Sequence, residues 1–160
     1  MFNDSLSKNA QHIQDVLTNK GLSFKVVELS ASTRTANDAA ATIGCEVAQI
    51  IKSLIFKLKE SNKPILILAS GVNRVNEKVI EKVVGEKIVK ADADFTKEAT
   101  GFAIGGIPPI GHKQAIDTII DEDLLNFQEL WAAAGTPHAV FRLRSEGLVV
   151  LTNGQVISIK

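Results

Sequence analysis

Residues 64–70 read Pro-Ile-Leu-Ile-Leu-Ala-Ser, and Ile65 to Ala69 are five apolar side chains in a row with no polar residue between them. No apolar run in the chain is longer. It is far short of the roughly 20 residues that cross a bilayer, but it has the length of a β-strand. A strand with one wet face alternates polar and apolar residues, so this one is expected to be buried on both faces. The chain must therefore supply covering layers on either side. With 45% hydrophobic residues in 160, it has the apolar side chains to do so, and a largely disordered chain is excluded.

The rest of the sequence supplies those layers in mixed order. Leu6, Ala10, Ile13, Val16 and Leu17 recur at helical spacing, with Ser5 or Ser7 as N-cap and Gly21 as the stop. Phe24 and Val26 lead to Leu29 as a strand, and Thr35 followed by Asp38 starts a helix running to Gly44. Residues 51–58 read as a strand with Leu54, Phe56 and Leu58 on one face, which Lys52 shares, and Ser53, Ile55 and Lys57 on the other. Asn76 caps a helix that ends at Gly85, Ile88 and Val89 form a short strand, and a short helix over 94–99 stops at Gly101. A glycine-proline loop over 105–111 precedes a strand around 115–120. Strands over 127–132 and 139–143 pair across a turn at 135–137. Residues 148–151 fit helix or strand, and 155–159 close the chain as a strand. No repeat or linker divides the sequence, so residues 1–160 are expected to form one compact α/β (α+β) domain with a mixed, curved sheet and flanking helices.

Eighteen basic residues balance eighteen acidic ones, which argues against a protein that coats DNA or RNA indiscriminately. The balance is uneven along the chain. Residues 52–97 hold ten Lys/Arg and six acids, a net +4, offset by −4 elsewhere. That stretch is either a set of solvated faces or a basic face beside a pocket, placed for an RNA backbone. The single cysteine, Cys45, excludes an intrachain disulfide and a thiolate zinc cluster, and the start over 1–8 has no apolar signal core. A cytoplasmic protein is expected, with no membrane and no DNA among its partners.

Three features carry chemistry. Lys52, on the core-facing register of its strand, must be paired, must reach a solvent-filled cavity, or must lay its stem on apolar surface with the amine in water. In the loop Gly105-Gly106-Ile107-Pro108-Pro109-Ile110-Gly111, glycines permit close approach to the main chain. The amides of Gly106, Ile107, Ile110 and Gly111 are candidate donors to an oxyanion or phosphate, unless the loop is a rigid structural turn. The loop matches neither a P-loop nor a GxGxxG turn. His138, after Gly135-Thr136-Pro137, is either an ordinary turn histidine or a group that orients a carbonyl or ribose hydroxyl. His12, His112 and His138 are too scattered to indicate a metal, and no side-chain nucleophile stands out.

Taken together, these segments resemble the YbaK-like family, the free-standing relatives of the insertion editing domain of bacterial prolyl-tRNA synthetases. The resemblance is carried by Gln49-Ile50-Ile51-Lys52-Ser53-Leu54-Ile55-Phe56-Lys57, by Thr100-Gly101-Phe102-Ala103-Ile104 running into the loop, and by Gly135-Thr136-Pro137-His138-Ala139-Val140-Phe141-Arg142-Leu143. Thr35-Ala36-Asn37-Asp38-Ala39-Ala40 and Gly71-Val72-Asn73-Arg74-Val75 add to it. It implies a trans-editing enzyme that hydrolyses the ester between a wrong amino acid and the 3′ end of a tRNA, without metal or cofactor. Lys52, Gly106 and His138 are the implied catalytic residues, and Thr35, Arg74, Gly105, Ile107, Pro108 and Gly111 the implied substrate contacts. The implied partner is the acceptor end of a mischarged tRNA, with a synthetase as a further one. Where the cysteinyl-tRNA(Pro) deacylase branch has Tyr-Gly, this chain has Thr35-Ala36; where that branch has a Lys/Arg-rich turn, it has Pro137-His138. His138 resembles the histidine of alanine- and serine/threonine-editing relatives. The expected cargo is a small amino acid, Ala, Ser, Thr or Cys, on tRNA(Pro) or a related tRNA. The alternative is a module that binds tRNA, a nucleotide or a synthetase without hydrolysis.

Overall fold

A computed structural model describes residues 6–160. The apolar run forms β3 (Pro64–Ser70), in which Leu66, Ile67, Leu68 and Ala69 have no exposed surface. It lies between β2 (Ile51–Leu58), antiparallel to it, and β5 (Asp117–Asp121), parallel to it. With β4 (Ile88–Lys90) and β8 (Gln155–Ile157) at the edges, the mixed sheet has the order β4-β2-β3-β5-β8. A second, antiparallel sheet has the order β1-β7-β6, from β1 (Val26–Glu28), β7 (Ala139–Arg144) and β6 (Glu129–Ala133). The expected mixed sheet is thus joined by a smaller one, and a single parallel bridge between Ile50 and Trp131 links them.

Strand alternation sorts β3 into two cores. Leu66 and Leu68 pack with Ile51, Ile55, Ile120 and Phe141 in the larger core, which also takes in α1 (Lys8–Asn19) through Ile13 and Leu17 and α5 (Ser145–Thr152) through Leu148. Ile65, Ile67 and Ala69 pack with Phe56, Ile119, Ile159 and Ile80, which belongs to α3 (Glu77–Val84). Two-sided burial is what an unbroken apolar strand requires.

Local signals set the helix ends. Thr35 Oγ1 accepts the Asp38 amide at 3.1 Å to start α2 (Ala36–Ile43), and Gly44, at φ 86°, ends it in a conformation that suits glycine. Asn76 and Asp92 cap α3 and α4 (Ala93–Thr100) in the same way. Ser7 occupies the N-cap position of α1 with no side-chain hydrogen bond to the helix among the described residues; Ser5, the other candidate, lies outside them. Residues 148–151, open between helix and strand in sequence, are helical within α5 because Leu148 and Leu151 both face the core from consecutive turns.

Candidate functional site

Along one edge, β2 is paired at both ends and open between them. The bridge of Ile50 to Trp131 holds the start, and β4 pairs only with Phe56 to Leu58. The amide of Ala91 donates to the carbonyl of Ile55 on this edge, at 3.2 Å. Main-chain groups alternate in direction along a strand, so those of Ser53 point the same way, into the gap. A cavity of about 240 Å³ opens here. Its walls are Thr33 to Ala36, Ile51 to Leu54 of β2, Ile104, Gly105 and Ile107 of the loop, and Trp131 to Ala133 of β6. The alanines at 36, 39, 132 and 133 leave the space that larger side chains would fill.

Lys52 reaches this cavity half-buried, and its amine donates to the main-chain carbonyl of Asn73. Burial holds its pKa below the usual lysine range; the charge of Arg74 adds to that effect, Asp121 opposes it and Lys90 reinforces it. Arg74 itself is exposed and does not line the cavity. Beside Lys52, the Ser53 hydroxyl is buried with no hydrogen-bond partner among the described residues.

The glycine-proline loop divides between two faces of the molecule. Gly105, at φ 99°, lines the cavity so close to Arg34 that an added Cβ would lie 2.6 Å from its Cγ. Among the described residues, the amides of Gly105 and Ile107 have no hydrogen-bond partner. The amide of Gly106, expected to be a free donor, is instead used within the loop, donating to Ala103 at 3.1 Å, while its carbonyl accepts from Gly135 at 2.9 Å. A Cβ on Gly106 would lie 2.8 to 2.9 Å from the Thr136 main chain, so this glycine lets the loop and the 135–138 turn touch. Pro108 and Gly111 lie away from the cavity: the Pro108 carbonyl accepts from His112 Nε2 at 2.7 Å, and that of Gly111 from His12 Nε2 at 3.1 Å. Burial lowers the His112 pKa, against the raising effect of its bond to Pro108.

His138 is exposed and does not line the cavity. Its Nδ1 lies 3.2 Å from the Ala31 carbonyl, which only accepts, so this nitrogen carries the proton, and Nε2 has no partner among the described residues. The same turn binds the wall residue Thr33 and the segment that leads into it at further points. The Leu29 amide donates to the His138 carbonyl at 2.8 Å, and Thr33 donates to the Pro137 carbonyl from its hydroxyl at 2.9 Å. Of the residues singled out in sequence, the fold brings Thr35, Lys52, Gly105 and Ile107 to the cavity. Gly106 and His138 support its walls from behind, and Arg74 acts on Lys52 through charge. Thr33, Arg34, Ser53 and Trp131 are additional wall residues that carried no signal of their own.

The profile of the aminoacyl-tRNA editing domain matches residues 30–151, a span that contains every one of these wall residues. The chain belongs to this family. Among curated relatives, the YwhH protein of Bacillus subtilis, whose name assigns no function, is 32% identical over 77% of this chain and 78% of its own length. EbsC of Enterococcus faecalis, provisionally named a Cys-tRNA(Pro)/Cys-tRNA(Cys) deacylase, is 29% identical over 78% of this chain and 76% of its own. A crystal structure provisionally described as a trans-editing enzyme for prolyl-tRNA synthetase superimposes with TM-score 0.92 and 46% identity, covering 98% of this chain and 99% of that one. The α+β fold is therefore that of the editing-domain structures.

Proposed function

We propose that this protein is a trans-editing hydrolase that removes a small wrong amino acid from the 3′ end of tRNA(Pro) or a related tRNA. The observation that carries the reading is the alanine-walled cavity of about 240 Å³, lined by Lys52 and by Gly105 and Ile107, whose amides have no partner among the described residues. It is smaller than the roughly 300 Å³ at which pockets for drug-sized ligands begin. That size favours an aminoacyl group such as alanyl, seryl, threonyl or cysteinyl, with the terminal adenosine outside. Membership of the editing-domain family and the names of EbsC and the crystal structure support deacylation as the reaction.

Water adds to the ester carbonyl carbon, and the negative charge that develops on the carbonyl oxygen is met by the amides of Gly105 and Ile107. Donors fixed in advance and aimed at developing charge supply the largest share of such catalysis. The C–O bond to the ribose then breaks, the ribose oxygen takes the proton that the attacking water gives up, and free amino acid and intact tRNA leave. Lys52 anchors the aminoacyl-adenosine end; Thr35 and Ile107 shape the pocket. Arg74, close enough to act on the Lys52 charge, meets the acceptor-end phosphates. Gly106, Pro108 and Gly111 hold the loop in shape. His138 fastens Ala31, just ahead of the wall over 33–36, and leaves Nε2 for the substrate. The test is release of free amino acid from tRNA(Pro) carrying Ala, Ser, Thr, Cys or Pro, against a no-protein control. Release of one or more of the four small wrong amino acids, with Pro retained, is expected; tRNA binding without release would identify a binding module instead.

A further inference from the structure

The Lys52 amine rests on the Asn73 carbonyl, so the turn that carries this carbonyl decides where the amine lies. That turn is fixed from below by one fully buried carboxylate. Asp121, with no exposed surface at the end of β5, accepts on Oδ2 the Ser70 amide at 3.0 Å and Asn73 Nδ2 at 2.8 Å. Its Oδ1 accepts the Asp123 amide at 2.9 Å. The second N–H of Asn73 Nδ2 reaches Asp123 Oδ2 at 2.8 Å, and Lys160 Nζ lies 2.9 Å from the same oxygen. A buried carboxylate persists only when donors surround it, and here two of the three, the Ser70 amide and Asn73 Nδ2, define both ends of one turn.

We propose that Asp121 and Asn73 are positioning residues of the editing reaction, together aiming the Asn73 carbonyl that holds the Lys52 amine at the aminoacyl end. This rests on the role given to Lys52 above. The charged groups acting on that amine are Arg74 and Lys90, which disfavour its protonated form, and Asp121, which favours it. Asp121 therefore acts on Lys52 by charge as well as by geometry.

The test compares Asn73→Ala, Asp121→Asn and Lys52→Met in the full chain by turnover of mischarged tRNA, with the Lys52 amine pKa read by competitive acylation. Asn73→Ala is expected to keep its circular dichroism spectrum and its KM while kcat falls between about tenfold and about a hundredfold, the loss that misplacement of a reacting group produces. Asp121→Asn, having lost the anion, is expected to titrate Lys52 at lower pH, a change that simple loosening of the turn does not produce. If Asp121→Asn does not fold, the kcat of Asn73→Ala decides alone. Wild-type kcat in Asn73→Ala, with Lys52→Met inactive, overturns the proposal and leaves the lysine reading standing. Wild-type turnover in Lys52→Met overturns the lysine reading itself and this proposal with it.

Discussion

Ser53 and Lys52 sit side by side on β2 and meet opposite fates. The Lys52 amine has an acceptor, whereas the Ser53 hydroxyl is buried with none among the described residues. A buried hydroxyl without a partner costs its full desolvation, so Ser53→Ala is expected to stabilise the protein by about 1 kcal/mol. Urea unfolding checks the sign: a higher midpoint at unchanged slope is expected, and a lower one would show that the hydroxyl is satisfied. The adjacent lysine was legible in sequence as a residue on an apolar register in need of a partner. The partner was not, because the Asn73 carbonyl lies 21 residues away on a turn whose shape depends on Asp121.

At the scale of elements, the loop over 105–111 and the turn over 135–138 work as one unit. Gly135 donates to the Gly106 carbonyl, and the space between them admits no Cβ. Gly106→Ala is therefore expected to cost about 1–3 kcal/mol, as overpacking does, and to lower kcat as the Gly105 and Ile107 amides shift. Thermal unfolding and single-turnover hydrolysis on one preparation test this; wild-type values for both would remove Gly106 from the site's support. Most helices and strands were legible because their signals are local: alternation in β2, the unbroken run in β3, and the caps Thr35 and Asn76 with glycines behind them. The loop's role was only half legible. Glycines marked close approach, but the sequence does not show that Gly106 approaches Thr136 while Gly105 approaches the cavity. Nor does it show Thr33 bonding Pro137, 104 residues on, which ties the wall over 33–36 to this turn.

For the whole molecule, the two cores on either face of β3 place the cavity at the seam between sheets. Helix α1 stands outside the span matched by the family profile, yet Ala10, Ile13 and Leu17 have no exposed surface, so it completes the larger core. Its His12 and the loop's His112 tie the far side of the glycine-proline loop. The lowered pKa of His112, caused first by burial, means that the folded state binds its proton less readily than the unfolded chain. Its contribution is then fully present above the unfolded pKa of about 6.5 and declines as pH falls from there through the folded value. Wild-type stability is expected to drop between pH 7.5 and about pH 5.5 more steeply than that of His112→Gln, measured by urea unfolding at each pH. Equal slopes would contradict it. The charge pattern also takes on meaning at this scale. Within the net +4 stretch over 52–97, Arg74 and Lys90 come close enough to Lys52 to act on its charge.

The central claim, that this cavity hydrolyses the ester of a small wrong amino acid, is tested most directly by single-turnover release of alanine and proline from tRNA(Pro), with wild-type protein and Lys52→Met. Alanine is expected to leave well above the no-protein rate with wild type, at least about a hundredfold more slowly with Lys52→Met, and proline to stay attached in both. Release of proline as fast as alanine, or equal alanine release with and without Lys52, would contradict the account.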